Sequence, residues 1–176
     1  MNKQEIFTEI TAVNCHTNLI SGVLFLPDNR TIISGSYDGT VVIFNYNNKK
    51  ITKRFQLSAP VKAISFSEKT NQILAFSDDK IIHIWDRDSY KKINEFPVLG
   101  PKTEYRQGGL GRKYVINAKF TMDGEFIVLG CQDKNVYVLP VREGEKSSHL
   151  KGHSMPVLSV GWSPTKEWIY SAAQFP

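Results

Sequence analysis

Apolar and polar residues alternate along most of the chain, in short runs separated by turn formers. Over residues 23–45, Val23 and Phe25 come first, then Ile32 and Ile33, then Val41 and Ile43. Apolar residues at this spacing are what a half-buried strand requires, because successive side chains leave opposite faces of a sheet. Between the second and third runs stands Asp38-Gly39, a strong hairpin signal: the glycine accepts positive φ and the carboxylate bonds turn amides. Pro27 and Asp28 mark an earlier turn, as do Met122, Asp123 and Gly124 further on. No stretch of ten or more residues shows a 3.6-residue period, so the pattern predicts an all-β chain.

The same spelling returns. SGSYDGTVVIFN (34–45), AFSDDKIIHIWD (75–86) and LGCQDKNVYVLP (129–140) align on the acids Asp38, Asp79 and Asp133. Each acid is followed six positions later by a bulky residue: Phe44, Trp85 and Leu139. Lys80 and Lys134 replace Gly39, so the later turns are less ideal. A second segment precedes each of these, LISGVLFLPDN, PVKAISFSEKT and YVINAKFTMDG, and a fourth copy, PVLSVGWSPTK, lies near the end. Their anchoring aromatics, Phe25, Phe66, Phe120 and Trp162, are spaced by 41, 54 and 42 residues. A period near 40 marks stacked supersecondary units. The units run approximately over 5–47, 48–88, 89–141 and 142–176 within a single domain, 1–176. A glycine-rich, basic insert over 100–114 accounts for the long interval.

These residues resemble the WD-repeat β-propeller family, whose blades are four-stranded antiparallel sheets around a channel. The family's Gly-His is matched by Gly152-His153 and more weakly by Cys15-His16. Its closing Trp-Asp is matched by Trp85-Asp86 and loosely by Phe44-Asn45. Asp38, Asp79 and Asp133 match its turn acid; Ser34 or Ser36, Ser77 and Ser171 match its strand hydroxyl. The resemblance covers essentially the whole chain outside the insert. It implies a hydrogen-bonded cluster of His, Ser, Asp and Trp tying each turn to neighbouring strands, with the indole N–H as one donor. No unit holds the full set: Phe44 stands for the tryptophan in the first, Leu57 for the histidine in the second, and Gly111 and Leu139 for both in the third. His16, Ser34, Asp38, Ser77, Asp79, Trp85, Asp133, His153 and Ser171 are therefore expected to carry structure, not chemistry.

The resemblance also implies that each unit begins with the outer strand of the preceding blade. IFTEITAV (6–13) is then one outer strand, and KITKRFQL (50–57), KKINEFPV (91–98) and EKSSHLK (145–151) are later ones. The last unit has two strands before SAAQFP, where Phe175 takes the place of the turn acid and Pro176 that of the glycine. The expectation is a partial or open propeller of about three and a half blades, against roughly four to eight in a closed ring. Three outcomes fit: a piece of a longer gene product, a ring completed by another copy or a different chain, or a four-bladed ring clasped by the N-terminal strand.

At 176 residues and 41% apolar composition the chain can bury a sizeable core. It has no apolar run near ~18 residues and no secretory start, so no membrane insertion is expected. Cys15 and Cys131 form no metal pattern and no disulfide framework, which suits an intracellular compartment, cytoplasmic or nuclear. The net charge is +5, with basic clusters at Lys49, Lys50, Lys53 and Arg54 and at Arg106, Arg112 and Lys113, read first as solvated loops. GGLGRK lacks the spacing and ending of a phosphate loop, and His16, His83, His149 and His153 are too dispersed for a shared metal. No enzyme, cofactor, metal or small-molecule substrate is expected. Arg87 stands one place too early for the Trp-Asp-x-Arg ending of some ligase-adaptor propellers, so no such role is assigned to it.

The expected function is a non-enzymatic scaffold that docks other proteins within a multi-protein assembly. The resemblance implies docking on the face carrying the turns, at Tyr37, Asp78, Gln132 and Gln174, joined by Tyr105, Arg106, Arg112 and Lys113 of the insert. Tyrosine and arginine are strong interface anchors. The alternative is a ribonucleoprotein-associated propeller contacting RNA through the basic insert, where tyrosines would stack on bases.

Overall fold

Each turn signal closes a hairpin, and the hairpins run on into antiparallel meanders. The structure, a computed structural model, describes residues 13–98, 115–142, 147–163 and 168–175. The first sheet has β1 (Ile20–Phe25), β2 (Thr31–Ser36), β3 (Thr40–Asn45) and β4 (Lys50–Gln56) in that order. The second has β5 (Val61–Ser67), β6 (Gln72–Ser77), β7 (Ile81–Asp86) and β8 (Lys92–Pro97). The third has β9 (Val115–Phe120), β10 (Phe126–Cys131), β11 (Val136–Pro140) and the short β12 (Ser148–Leu150). The fourth has two strands, β13 (Val157–Trp162) and β14 (Ile169–Ala173).

Fourteen strands and no helix stand among the described residues, an all-β partial propeller of three complete blades and half of a fourth. Residues 6–12 of the strand expected over 6–13, the insert over 100–114 with Gly111, and Pro176 lie outside the described residues, and Val13 is not in a strand.

The inner strands β1, β5, β9 and β13 adjoin one another in succession, so the sheets splay from a common axis. Apolar contact is made between sheets. Ile73 and Ala75 of β6 pack with Ile33, Val41 and Ile43 of the first sheet. Leu74 and Phe76, facing the other way, pack with Ala118, Ile127 and Leu129 of the third. Val128 and Val136 meet Val157 and Val160 in the last seam. Burial on both faces explains why the middle strands are nearly continuous apolar runs. The outer strand β4 is mostly exposed and carries Lys50, Lys53 and Arg54, charges that discourage pairing with another edge. At the two ends of the fan apolar side chains lie open, with Phe25 55% and Tyr170 61% exposed.

The first seam depends on glycine. A Cβ on Gly35 would stand 2.7 Å from Ile64 Cγ2 and 2.8 Å from Val61 Cγ1, both on β5. Gly35→Ala is expected to destabilise the chain by about 1–3 kcal/mol through overpacking. A lower urea midpoint at unchanged slope checks this; an unchanged midpoint would show that the seam can widen freely.

The lysine-bearing turns keep the shape of the glycine one. Lys80 (φ 69) and Lys134 (φ 73) share the left-handed conformation of Gly39 (φ 81). The same backbone bond closes all three turns, Gly39 N to Ser36 O at 3.1 Å, Lys80 N to Ser77 O at 3.0 Å and Lys134 N to Cys131 O at 3.2 Å. A side chain in this conformation costs about 1–2 kcal/mol, so the surroundings of each turn must hold it in place.

Candidate functional site

The β2–β3, β6–β7 and β10–β11 turns lie at one end of the sheets, and their acids hold them closed. Asp38 Oδ1 accepts from the Thr40 amide (2.9 Å) and hydroxyl (2.6 Å), and Oδ2 from the Thr17 amide (2.9 Å). His16 links this turn to the strand: Nδ1 lies 3.2 Å from Asp38 Oδ2 and Nε2 lies 2.7 Å from Ser34 Oγ. Burial raises the Asp38 pKa, but the Thr40 hydroxyl, the Thr17 and Thr40 amides and the His16 charge outweigh it. The carboxyl is held well below the usual carboxylate range.

In the second sheet Leu57 takes the place of the histidine, and the imidazole comes from within the blade. His83, buried on β7, places Nε2 3.0 Å from Ser77 Oγ, which donates to Asp79; Ser58 Oγ donates to the same carboxylate at 2.6 Å. Trp85 joins through its ring faces, stacking on His83 (5.7 Å between centroids) and on Phe55 (4.4 Å). Asp86, its neighbour, accepts from the Ser89 amide at 2.7 Å and so caps the next turn.

In the third sheet Tyr137 stands where His83 stands, four residues after the acid, and its hydroxyl donates to Asp133 Oδ2 at 2.7 Å. The first sheet has the aliphatic Val42 at that register. A polar side chain thus reaches the turn from the strand in the second and third sheets. In the fourth unit His153 Nε2 lies 2.7 Å from Ser171 Oγ.

The serines divide into two registers. Ser34 and Ser171, four residues before the acid position, receive the loop histidines. Ser36 and Ser77, two before it, serve the turn itself: the Asp38 amide donates to Ser36 Oγ at 3.1 Å.

Tyr37 and Asp78, which precede the first two acids, are brought together by a lysine. Lys62 Nζ lies 4.2 Å from the centre of the Tyr37 ring and 3.6 Å from Asp78 Oδ2; Lys80 Nζ is 3.1 Å from Asp78 Oδ1. Tyr37, Lys62, Asp78 and Lys80 therefore form one patch across two blades. The backbone beneath is fixed by a repeated bond, Tyr37 N to Leu19 O at 2.8 Å and Asp78 N to Pro60 O at 2.9 Å. Gln174 N makes the same bond to Pro156 O at 3.0 Å. Gln132 is exposed on the third turn, apart from the patch. Tyr105, Arg106, Arg112 and Lys113 lie outside the described residues. Lys62 and Lys80 were not singled out by the repeat pattern, although Lys80 sits at the glycine position of its turn.

The opposite end of the sheets carries a second polar link that local motifs do not reveal. Arg87, after β7, bonds the Asp28 carboxylate of the first sheet, and its Nη2 reaches Thr31 Oγ1 at 3.2 Å. Burial raises the Asp28 pKa, but the Thr31 hydroxyl, the Arg30 and Thr31 amides and the Arg87 charge bring it down to about 2. At this end Phe25, Phe66, Phe120 and Trp162, the residues that anchor the sequence repeat, line one cavity of about 400 Å³. Among the described residues no group of three or more His, Cys, Asp or Glu side chains is placed to hold a metal ion, and no helix is long and apolar enough to cross a membrane.

Comparison with known proteins places these features in context. The profile of the WD domain, G-beta repeat (WD40) matches residues 7–45, 50–86 and 144–174. A Periodic tryptophan protein 2 homolog of Dictyostelium discoideum is 28% identical over 162 residues, covering 90% of this chain and 16% of its own. Actin-interacting protein 1 of Drosophila melanogaster is 22% identical, covering 90% of this chain and 25% of its own. The human Serine-threonine kinase receptor-associated protein is 22% identical, with 90% and 53% covered. The chain spans about half or less of the length of these relatives.

Proposed function

This chain belongs to the WD40 family of WD-domain, G-beta repeat proteins, and from that membership we propose that it is a non-catalytic scaffold docking other proteins on the turn rim of its first two blades. WD40 proteins generally bind other proteins. The names of two relatives, Actin-interacting protein 1 and Serine-threonine kinase receptor-associated protein, refer to protein partners of their own. The polar residues of the turns are engaged in closing hairpins, which leaves surface recognition as the work of the molecule. The RNA alternative rests wholly on residues 100–114 and gains nothing from the described surface.

The observation that carries this reading is the patch of Tyr37, Lys62, Asp78 and Lys80. An aromatic ring and two lysines are already held in one arrangement by Asp78, so little side-chain freedom remains to be lost on docking. The patch offers an amphipathic ring flanked by positive charge, a surface suited to a protein segment with an acidic residue beside an apolar one. In quantitative affinity capture from the native cell, Tyr37→Ala with Lys62→Ala is expected to lose specific partners by about tenfold or more, the equivalent of about 1.4 kcal/mol. Glu68→Ala, at the opposite end, should retain them. Partners held equally by all three proteins would place docking elsewhere. The open faces beside Phe25 and Tyr170 are where further blades would pack in a closed ring, supplied by more of the same polypeptide or by another chain.

A further inference from the structure

Between the second and third sheets, at the end opposite the rim, lies a groove of about 590 Å³. Its lining includes Thr70, Gln72, Asn94, Asp123, Glu125 and Arg142. The corresponding place between the first and second sheets is filled by Arg87, whose guanidinium bonds Asp28 and Thr31 of one blade and Asp88 of its own. The repeat register relates the two seams at the hydroxyl and arginine positions, but at the carboxylate position Lys69, three residues after Phe66, stands where Asp28 stands after Phe25. Thr31 and Gln72 each stand six residues after their anchoring phenylalanine. Arg87 and Val141 each stand eight after their turn acid. The arginine that fills one seam is thus an aliphatic residue in the next.

Acceptors remain where that arginine is missing. Gln72 Oε1 and Thr70 Oγ1 are buried with no hydrogen-bond partner, whereas buried polar atoms ordinarily have one. Asp123 adds a carboxylate, using Oδ1 for the Thr121 hydroxyl and for the Glu125 amide at 2.9 Å. Glu125 adds another at the exposed side of the groove. Two positive groups also line it, Lys69 and Arg142, both exposed.

We propose that this groove receives the guanidinium of an arginine side chain presented by a partner protein, with Asp123 and Glu125 of the third sheet supplying the carboxylates in place of the Asp28 that holds Arg87. A guanidinium is a planar donor with five N–H groups and no acceptor, which matches an amide oxygen, a hydroxyl and a carboxylate converging on one cleft. A lysine ammonium is a point charge and cannot span those acceptors in one plane. The seat lies at the far end of the strands from Tyr37 and Lys62, so it is independent of the rim.

The test is an amide-shift titration of the 176-residue chain with N-acetyl-arginine amide and with its neutral isostere N-acetyl-citrulline amide. Arginine should give saturable shifts at Thr70, Gln72 and Gly124, with citrulline weaker by about tenfold or more, a difference of about 1.4 kcal/mol. Thr70→Val and Gln72→Leu should each weaken the arginine response about fivefold or more, a difference of about 1 kcal/mol. The Tyr37→Ala, Lys62→Ala protein should respond like the parent, so the two sites fail or stand separately. No saturable shift, an equal response to citrulline, or indifference to both groove variants overturns the proposal. Binding that emerges only in Arg142→Ala also overturns it, because the seat would then belong to the chain's own arginine. If Gln72→Leu does not fold, Thr70→Val and the citrulline comparison still decide.

Discussion

Replacing Asp38 by alanine is expected to lower the stability of the chain by about 3–4 kcal/mol, near the upper end for a single substitution. The carboxylate accepts from two backbone amides and a hydroxyl, and His16 stands beside it. Alanine leaves the Thr17 and Thr40 amides without this acceptor in a turn where the Asp38 side chain is only 9% exposed. For a chain of this length the thermal midpoint should fall by roughly 6–16 °C, at about 2–4 °C per kcal/mol. Asp38→Asn keeps the shape but turns one acceptor into a donor facing His16 and Thr17, so it should recover less than half of the loss.

The pH dependence has a definite sign. The native carboxyl titrates below its unfolded value of 3.8, so its contribution is complete above that value and disappears as pH falls toward the native one. The parent should therefore lose part of its stability below about pH 4, by an amount that Asp38→Ala lacks. Equal thermal midpoints for parent and alanine variant at pH 7 would mean that the turn closes without its acid.

Trp85→Ala should be of similar or larger effect, about 3–5 kcal/mol, as expected for a buried aromatic cut back to a methyl group. The indole is 3% exposed and packs in the first seam with Val41 and Ile73, its ring stacked 4.4 Å from that of Phe55. Trp85→Phe separates two accounts of this residue. The stacking geometry predicts that phenylalanine retains more than half of the stability, since Phe44 fills the corresponding place in the first blade. The resemblance to the repeat family implied a donor role for the indole N–H, which phenylalanine cannot fill. Urea midpoints of the two variants decide: equal losses would favour the donor.

Much of the fold was legible because it is written in local terms. Asp38, Asp79 and Asp133 set the register of the turns, and alternating apolar residues set the strands on either side. The third sheet forms although residues 87–143 lie outside the matched family segments, and it was the turn register, not the signature dipeptides, that exposed it.

What stayed hidden depends on distance or on the third dimension. His83 in IIHIWD and Tyr137 in NVYVLP sit within strands, where the eye takes every second residue as core. Their polarity was the available signal, and only the sheet shows Tyr137 reaching the acid four residues back and His83 reaching its acid through Ser77. Ser34 and Ser36 were one candidate position in the repeat, and the pairing of the strands assigned them different partners. Arg87 follows the Trp-Asp dipeptide closely, but its partner Asp28 lies 59 residues away. The groove beside Gln72 is visible only as a missing side chain, by comparison with a seam that has one.

Because every apolar core lies between two sheets, no blade is a folding unit in its own right. Loss of the second blade dissolves the two larger adhesive layers, loss of the third one large and one small, and loss of the first a single layer, as in any array coupled to nearest neighbours. Such a fan unzips from its ends, and the middle blade is its keystone: hydrogen exchange should be slowest on β6 and β7 and quicken outward in both directions.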